Sequence, residues 1–418
     1  MPQLSPARTR LALLALALGG FGIGTTEFVA MGLLPEIAQD LLPAVWAASP
    51  DQANAQVGIL ISAYALGVVV GAPTIAATAA RFPRKSLLTV LAVAFTAGTI
   101  LSALAPTFEV AVVARFLAAL PHGAYFGIAS LVAAQLMGPG RRAQGVALVL
   151  SGLTISNVVG VPLVTLLGQT SGWRVAYLAV AAIFAATTVA IILVVPASPG
   201  DPAARIAREL RAFRRGQVWF ALGIGAIGFG GFFAVYSYVS PLTTEVTGLP
   251  APVVPLAVAT LGLGMTVGNL LGGRLADRGV VRALLIGFAS FIAAMIGLAL
   301  TASTGPGLFA FLFLVGATSS VLVPAVQTRL MDVAGDAQTL AAALNHSALN
   351  IGNGAGAALG AVVIAAGLGY VAPTWVGVVL ALLGVALTGV AILVGRLRPR
   401  PETGAIATAR SVGSALEG

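Results

Sequence analysis

Residues Gly268 to Leu285 read GNLLGGRLADRGVVRALL. A glycine-studded apolar run enters a knot of charge, Arg274, Asp277 and Arg278, and resumes as a second apolar run after Arg282. Charge packed so tightly between two membrane-type helices marks a short loop at a membrane face. The stretch has an echo 197 residues earlier, where Gly71 to Leu88 reads GAPTIAATAARFPRKSLL and Arg81, Lys85 and Leu87-Leu88 fall on Arg278, Arg282 and Leu284-Leu285. Ser151, Asn157 and Gly160 fall on Ser347, Asn353 and Gly356 at an offset of 196. The chain is therefore read as two related halves, the internal-repeat pattern of many transporters.

Composition narrows the class. Of 418 residues, 58% are hydrophobic and 8% charged, against about 25% charged in soluble domains. A soluble enzyme is excluded. Cysteine is absent, which removes disulfides, thiolate metal sites and cysteine nucleophiles. The net charge of +9 is dispersed among apolar runs, so no nucleic-acid partner is expected. Lys85 is the sole lysine, and the arginine, alanine and glycine excess fits a GC-rich bacterial genome.

A spanning helix needs about 20 apolar residues. That ruler places twelve spans, at 11–33, 54–79, 86–105, 108–137, 142–168, 173–195, 217–240, 252–276, 281–302, 305–328, 337–366 and 372–395. Arg8 and Arg10 precede an apolar run that continues without a small-residue cleavage pattern, so it is read as span 1 rather than a signal peptide. With twelve spans, the basic residues outside the helices gather on one face, and the opposite loops hold only Arg174. This asymmetry follows the positive-inside rule and predicts cytoplasmic termini in a bacterial inner membrane. The expected organisation is a cytoplasmic N-terminus (1–10), a six-helix half (11–196), a basic linker (197–216), a second six-helix half (217–396) and a cytoplasmic tail (397–418). Ile206, Leu210 and Phe213 recur at helical spacing in the linker, which reads either as an amphipathic helix on the leaflet or as a solvated basic segment.

Glycines cluster in four spans: Gly67 and Gly71; Gly152 and Gly160; Gly264, Gly268 and Gly272; Gly352, Gly356 and Gly360. Spacing by four aligns small residues on one face and lets backbones approach. These glycines are read as marking spans 2, 5, 8 and 11 as the seam on which the halves rock, with ordinary close packing without motion as the alternative.

The motifs resemble a known family. Gly272 to Gly279 (GGRLADRG) is similar to the loop signature of the major facilitator superfamily, and Arg115 to Phe126 (RFLAALPHGAYF) resembles its arginine motif. Gly152 to Gly168 (GLTISNVVGVPLVTLLG) is similar to the antiporter motif of its drug exporters. Gly24 to Pro35 (GTTEFVAMGLLP) and Asn345 to Gly356 (NHSALNIGNGAG) resemble the twelve-span drug:proton antiporters of the arabinose-efflux and chloramphenicol-resistance branch. Two departures stand out: Ala80 occupies the place of Asp277 in the first-half loop, and Gly160 and Pro162 are separated by Val161. The resemblance implies an all-α polytopic fold of two pseudo-symmetric six-helix halves around a cavity, working by alternating access, with export driven by proton entry. It also places spans 1 and 4 side by side.

Within that frame, Glu27 is the only carboxylate well inside span 1. An ionised side chain at the membrane centre costs at least about 2.5–3.5 kcal/mol, so it must pair, be neutral or face water. Arg115 lies at similar depth as a partner. Glu27, Arg115 and His122 are the candidate proton-coupling residues, because an unperturbed imidazole titrates near neutrality. A fixed ion pair and a hydrogen-bonded neutral His are the structural alternatives. His346 reads as structural. Arg81, Arg274, Asp277, Arg278 and Arg282 are read as a cytoplasmic gate, in which the carboxylate bonds nearby arginines in one access state. Gly152, Asn157, Gly160, Pro162, Asn353 and Gly356 form the helix-interface and antiporter motif. Tyr125, Phe126, Phe229, Phe233, Tyr236, Ser320 and Gln327 offer a mostly apolar cavity with few polar anchors, suited to an uncharged amphipathic molecule.

The reading is a proton-coupled exporter of small amphipathic molecules, chloramphenicol-like, acting as a monomer without cofactor or metal. Sugar or purine nucleoside efflux by the same fold is the alternative. An intramembrane enzyme lacks support, since there is no HExxH helix or GxSxG turn. A channel is disfavoured by the repeated halves and the absence of charged rings.

Overall fold

A computed structural model describes residues 5–79, 82–138, 142–199, 214–334 and 338–397. Arg81, most of the 197–216 linker and nearly all of the 397–418 tail lie outside the described residues. Among the described residues, twelve helices are long and apolar enough to cross a membrane. They are span 1 (Pro6–Gly32), span 2 (Pro50–Ile75), span 3 (Arg84–Ala103), span 4 (Phe108–Met137), span 5 (Gln144–Ser171) and span 6 (Trp173–Val194) in the first half. Span 7 (Gly216–Tyr236), span 8 (Ala251–Arg278), span 9 (Val280–Thr301), span 10 (Gly305–Val333), span 11 (Leu344–Ala365) and span 12 (Ala372–Val394) make the second. Large aliphatic side chains such as Leu14, Val90, Leu193, Leu300 and Leu393 stay exposed on the outside, as a lipid-facing surface requires.

Helix neighbours repeat between the halves. Span 1 packs on spans 5 and 6, span 2 on 4, and span 3 on 4 and 6; shifting every number by six gives the second half. The loop that opened the sequence analysis is tighter than its charge suggested. Span 8 ends at Arg278, span 9 begins at Val280, and the chain reverses at Gly279 alone. Its φ of 152° lies where a side chain is strained and glycine is not.

Three helices deviate where proline removes a backbone donor. Span 4 breaks at Leu120–Pro121 into Phe108–Ala119 and His122–Met137. Ahead of Pro162, span 5 slips into a π-turn, Ser156–Gly160, in which the Val161 N–H reaches back five residues to Ser156. A similar slip follows Pro241, over Leu242–Val246. The link between spans 1 and 2 holds two short helices, Leu34–Leu41 and Pro43–Ala48.

The glycine assignment needs correction. Spans 2 and 11 pack together, and span 8 meets the part of span 5 from Ser156 onward, away from the arginines, so these four helices do form the seam. Most of the glycine faces, however, point inward to their own half. A Cβ at Gly67 or Gly71 would strike the span 4 backbone at Phe116 or Leu120; at Gly264, Gly268 or Gly272 it would strike span 10 at Phe313, Ala317 or Val321. Likewise Gly152 abuts Ala17 of span 1, and Gly352 and Gly356 abut Ala226 and Gly230 of span 7. Spacing by four announces a close backbone approach without naming the neighbour. Other glycines do face the seam: Gly262 presses on Asn157, Gly354 lies against Ser62 and Ala65, and Gly58 against Tyr238.

Cross-half bonds are concentrated on the side away from the arginines. Asn54 Nδ2 donates to the Tyr370 hydroxyl at 2.8 Å, Ser62 Oγ to the Gly354 carbonyl at 3.0 Å, and Gln169 Nε2 to the Ala251 carbonyl at 3.0 Å. Phe28 stacks on Tyr236 at 5.3 Å and on Phe233 at 6.2 Å. On the side away from the arginines, the halves are held shut by these bonds and ring contacts. Nearer the arginine-side face, the rings of His122 and Phe126 meet that of His346 across the halves.

Gly268→Val is expected to destabilise the folded protein by more than about 1–3 kcal/mol, the usual cost of overpacking, because its Cβ meets backbone at Ala317. Gly273→Ala, with open space around it, should leave stability within about 1 kcal/mol. Thermal midpoints of the two variants in detergent check the contrast.

Candidate functional site

The site is assembled where span 1 faces span 11. Glu27 is 5% exposed, and its Oε1 accepts a hydrogen bond from Asn353 Nδ2 at 3.3 Å. This bond runs from the first half to the second, between residues 326 apart in the chain. Low dielectric makes such a bond matter, since an unpartnered buried carboxylate is far costlier than a paired one.

Arg115 does not form the expected ion pair with Glu27. Its Nη1 donates to the Thr26 carbonyl at 3.0 Å and to Thr26 Oγ1 at 3.3 Å. The guanidinium lies over the Tyr64 ring at 4.2 Å and near that of Tyr177 at 5.6 Å. The guanidinium is thereby fixed one residue short of the carboxylate, close enough to attract it electrostatically and held by aromatic faces, which favour such planar cations. Arg115 Nε and Nη2 are buried without partners, as are Tyr236 Oη and Asn353 Oδ1. Tyr64 and Tyr236 both sit within electrostatic reach of Glu27.

His122 joins this centre through Tyr64, whose hydroxyl lies 3.2 Å from His122 Nδ1. The His122 ring stands 6.2 Å from that of His346, and Phe126 stacks on His346 at 5.4 Å with planes 2° apart. The two histidines therefore face each other across the halves. Sequence reading kept them separate, because they occupy non-equivalent places in the repeat. Tyr64 was also missed, since a tyrosine among span 2 aliphatics carries no signal of its neighbours.

The other candidates divide. Phe229, Phe233 and Tyr236 are buried with Phe232 in one aromatic cluster that includes Phe28. Phe126 reaches the seam. Tyr125 does not: its hydroxyl donates to Leu16 O at 3.2 Å, and the ring fills the space left by Gly19. It belongs to first-half packing rather than to a cavity wall. Ser320 is buried on span 10, and Gln327 Oε1 accepts from Asn345 Nδ2 at 3.4 Å within the second half. On span 11, Asn345, Asn350 and Asn353 are buried, each with an unpartnered carbonyl oxygen. In the antiporter-like stretch, Asn157 Nδ2 bonds back to Leu153 O at 3.2 Å across the π-turn, and Gly160 packs on Phe21 and Thr25 of span 1.

The gate residues are solvent-facing here. Arg274, Asp277, Arg278 and Arg282 are exposed, and among the described residues Asp277 forms no ion pair. The expected carboxylate–arginine bonds are not found among the described residues, and Arg81 lies outside them. The ion pair found among the described residues joins Arg174 to Asp40. Arg174, the lone exception to the charge asymmetry, is neutralised locally; its Nη2 also bonds Ala105 O at 2.9 Å, and Trp173 Nε1 bonds Asp40 Oδ2 at 3.0 Å.

Comparison with known proteins agrees with this architecture. The family model described as "Major Facilitator Superfamily" matches residues 16–306 and 239–417. The chain is similar to the inner membrane transport protein YdhP of Escherichia coli K12, at 38% identity over 94% of this chain and 98% of that one. It is also similar to the chloramphenicol resistance protein of Streptomyces lividans, at 32% identity over 87% and 92%. Among solved structures, the D-xylose–proton symporter superposes with a TM-score of 0.70 at 18% identity, covering 90% of this chain and 96% of that one. A bacterial homologue of the lysosomal transporter Spinster gives 0.68 at 19% identity, covering 95% and 100%. Family match, relatives and helix arrangement converge, and the chain belongs to the Major Facilitator Superfamily of membrane transporters.

Proposed function

We propose that this transporter exports small, mostly uncharged amphipathic molecules of chloramphenicol-like character in exchange for protons, from a bacterial inner membrane with its arginine-rich face in the cytoplasm. The observation that carries the reading is the Glu27–Asn353 hydrogen bond across the halves. A charge-assisted bond to a carboxylate is roughly twice as strong as a neutral one. Ionised Glu27 therefore supports the outwardly shut arrangement, and a proton on Glu27 weakens that support. Cargo entering from the arginine-rich face, once it opens, meets the same groups, the free oxygen of Asn353 and the hydroxyl of Tyr236, beside the aromatic cluster. Proton and cargo thus compete for one set of partners, and competition at a shared site is what exchange requires. Arg115 sets the charge balance, and Tyr64 links it to His122. The chloramphenicol resistance relative and the apolar, sparsely polar lining support this cargo class.

Asp277 and the arginines around it serve in this scheme as the inner gate, bonding when the cytoplasmic ends come together.

Accumulation of radiolabelled chloramphenicol in expressing cells tests the reading. Low accumulation that rises on adding a protonophore is expected, and equal accumulation in both conditions would overturn chloramphenicol-like export. Glu27→Gln, which keeps the shape and removes the titration, should cut protonophore-sensitive export by about tenfold or more while leaving the protein folded; such a loss corresponds to about 1.4 kcal/mol. Asp277→Ala should slow export several-fold without changing its sensitivity to the protonophore.

A further inference from the structure

The outer mouth holds a second titratable centre, far from Glu27. A cavity of about 490 Å³ opens between the helix Leu34–Leu41 and the junction of spans 5 and 6, lined in part by Glu36, Asp40, Gln169, Trp173 and Arg174. Asp40, Trp173 and Arg174 satisfy one another, as described above. Glu36 and Gln169 do not.

The Gln169 amide lies beside the Glu36 carboxyl on the same cavity wall, near enough to favour its ionised form. The amide Nε2 donates to the Ala251 carbonyl, across the seam, at 3.0 Å. That bond fixes the amide orientation, because a flipped amide would set two carbonyl oxygens against each other at this distance. Two buried acceptors are then left without partners, Glu36 Oε2 and Gln169 Oε1. A buried acceptor without a donor calls for one. One proton on the carboxyl supplies it: the acid O–H donates to the amide oxygen while an amide N–H donates to the other carboxyl oxygen.

We propose that Glu36 is an outward-facing proton-binding site, loaded when the outer gate shuts, in which the carboxylic acid–amide pair with Gln169 secures the Gln169–Ala251 bond between the halves. The cover on this site comes partly from the second half, since the helix Leu34–Leu41 touches the Val239–Pro241 turn. Opening the outer face removes that cover, breaks the Gln169–Ala251 bond and returns Glu36 to water.

Electrostatics agree in sign. Burial pushes the Glu36 carboxyl above its ordinary value, outweighing its own backbone N–H and the Gln169 amide, which both favour the ionised form. A group whose affinity for protons is higher in the shut state stabilises that state fully below its ordinary pKa, and the effect is lost as pH rises through the raised value. Acid outside thus favours closure. The neighbouring charges do not replace Glu36 in this role. Asp40 on the same helix and Arg174 on span 6 are paired together. Asp51, at the start of the helix packed behind, lies against Tyr370, with Glu245 of the second half nearby.

The cysteine-free chain allows a clean test on the full protein in lipid nanodiscs. Spin labels at Pro106→Cys and Ser303→Cys, both exposed at the outer ends of opposite halves, report the gate by their distance. The short-distance population should grow from about pH 8 to about pH 5, with the closed-to-open ratio changing by up to about tenfold per pH unit in the titration window. Glu36→Gln should abolish that dependence and remain closed at both ends of the range. Gln169→Leu should lose the response while retaining a folded, monodisperse protein. A wild-type distribution that does not move with pH overturns the proposal, and so does an unchanged response in Glu36→Gln. The readout needs no cargo, so failure of the export assay and failure of this proposal are separable.

Discussion

A carboxylate inside a membrane protein must have a partner, and Glu27 finds its partner on the opposite half of the molecule. The rest of the arrangement around the seam can be organised by that constraint. Asn353 has to sit on span 11 opposite span 1, so the two halves must register to the ångström where they meet. Arg115 must be near enough to balance the charge and yet be held elsewhere, which Thr26 and the faces of Tyr64 and Tyr177 accomplish. The aromatic contacts of Phe28 with Phe233 and Tyr236 exclude water from the outer side of the bond.

The glycine stripes serve the same end indirectly. By letting span 2 lie on span 4, span 8 on span 10, and spans 5 and 11 on spans 1 and 7, they make each half a close-packed body. Helices without an aqueous hydrophobic drive between them rely on such packing. Two stiff bodies joined by a few hydrogen bonds and ring contacts have a natural place to part. The helical irregularities sit at this boundary: the π-turn of span 5 places Asn157 beside Gly262 of span 8, and the break in span 4 begins the segment that carries His122 and Phe126 to His346.

The membrane fold was legible because it follows from coarse quantities. Run length gives the spans, and arginine placement gives their number and relative direction. Glu27 stood out as a lone carboxylate, and Asn353 as the repeat image of Asn157. Their bond was not legible, because it depends on the rotation of span 11 about its axis, which composition does not encode. Arg115 was expected on Glu27 by depth alone, whereas rotation and the tyrosine faces carry its guanidinium to Thr26. Glu36 and Gln169 lie where span and loop meet, and neither belongs to a recognisable motif. Tyr125 and the seam-facing glycines failed for one shared reason: a helix face can be inferred from spacing, but its neighbour cannot.

Alternating access of the two halves is the central claim, and locking the outer side tests it most directly. An ideal Cβ on Gly354 would lie 3.8 Å from Ser62 Cα, in van der Waals contact across the outer seam, which makes Ser62→Cys with Gly354→Cys the pair to cross-link. Protonophore-sensitive export by this variant should proceed when reduced, stop on oxidation and recover under dithiothreitol. Undiminished export with the disulfide closed would show that the outer seam never needs to open, and would contradict the mechanism.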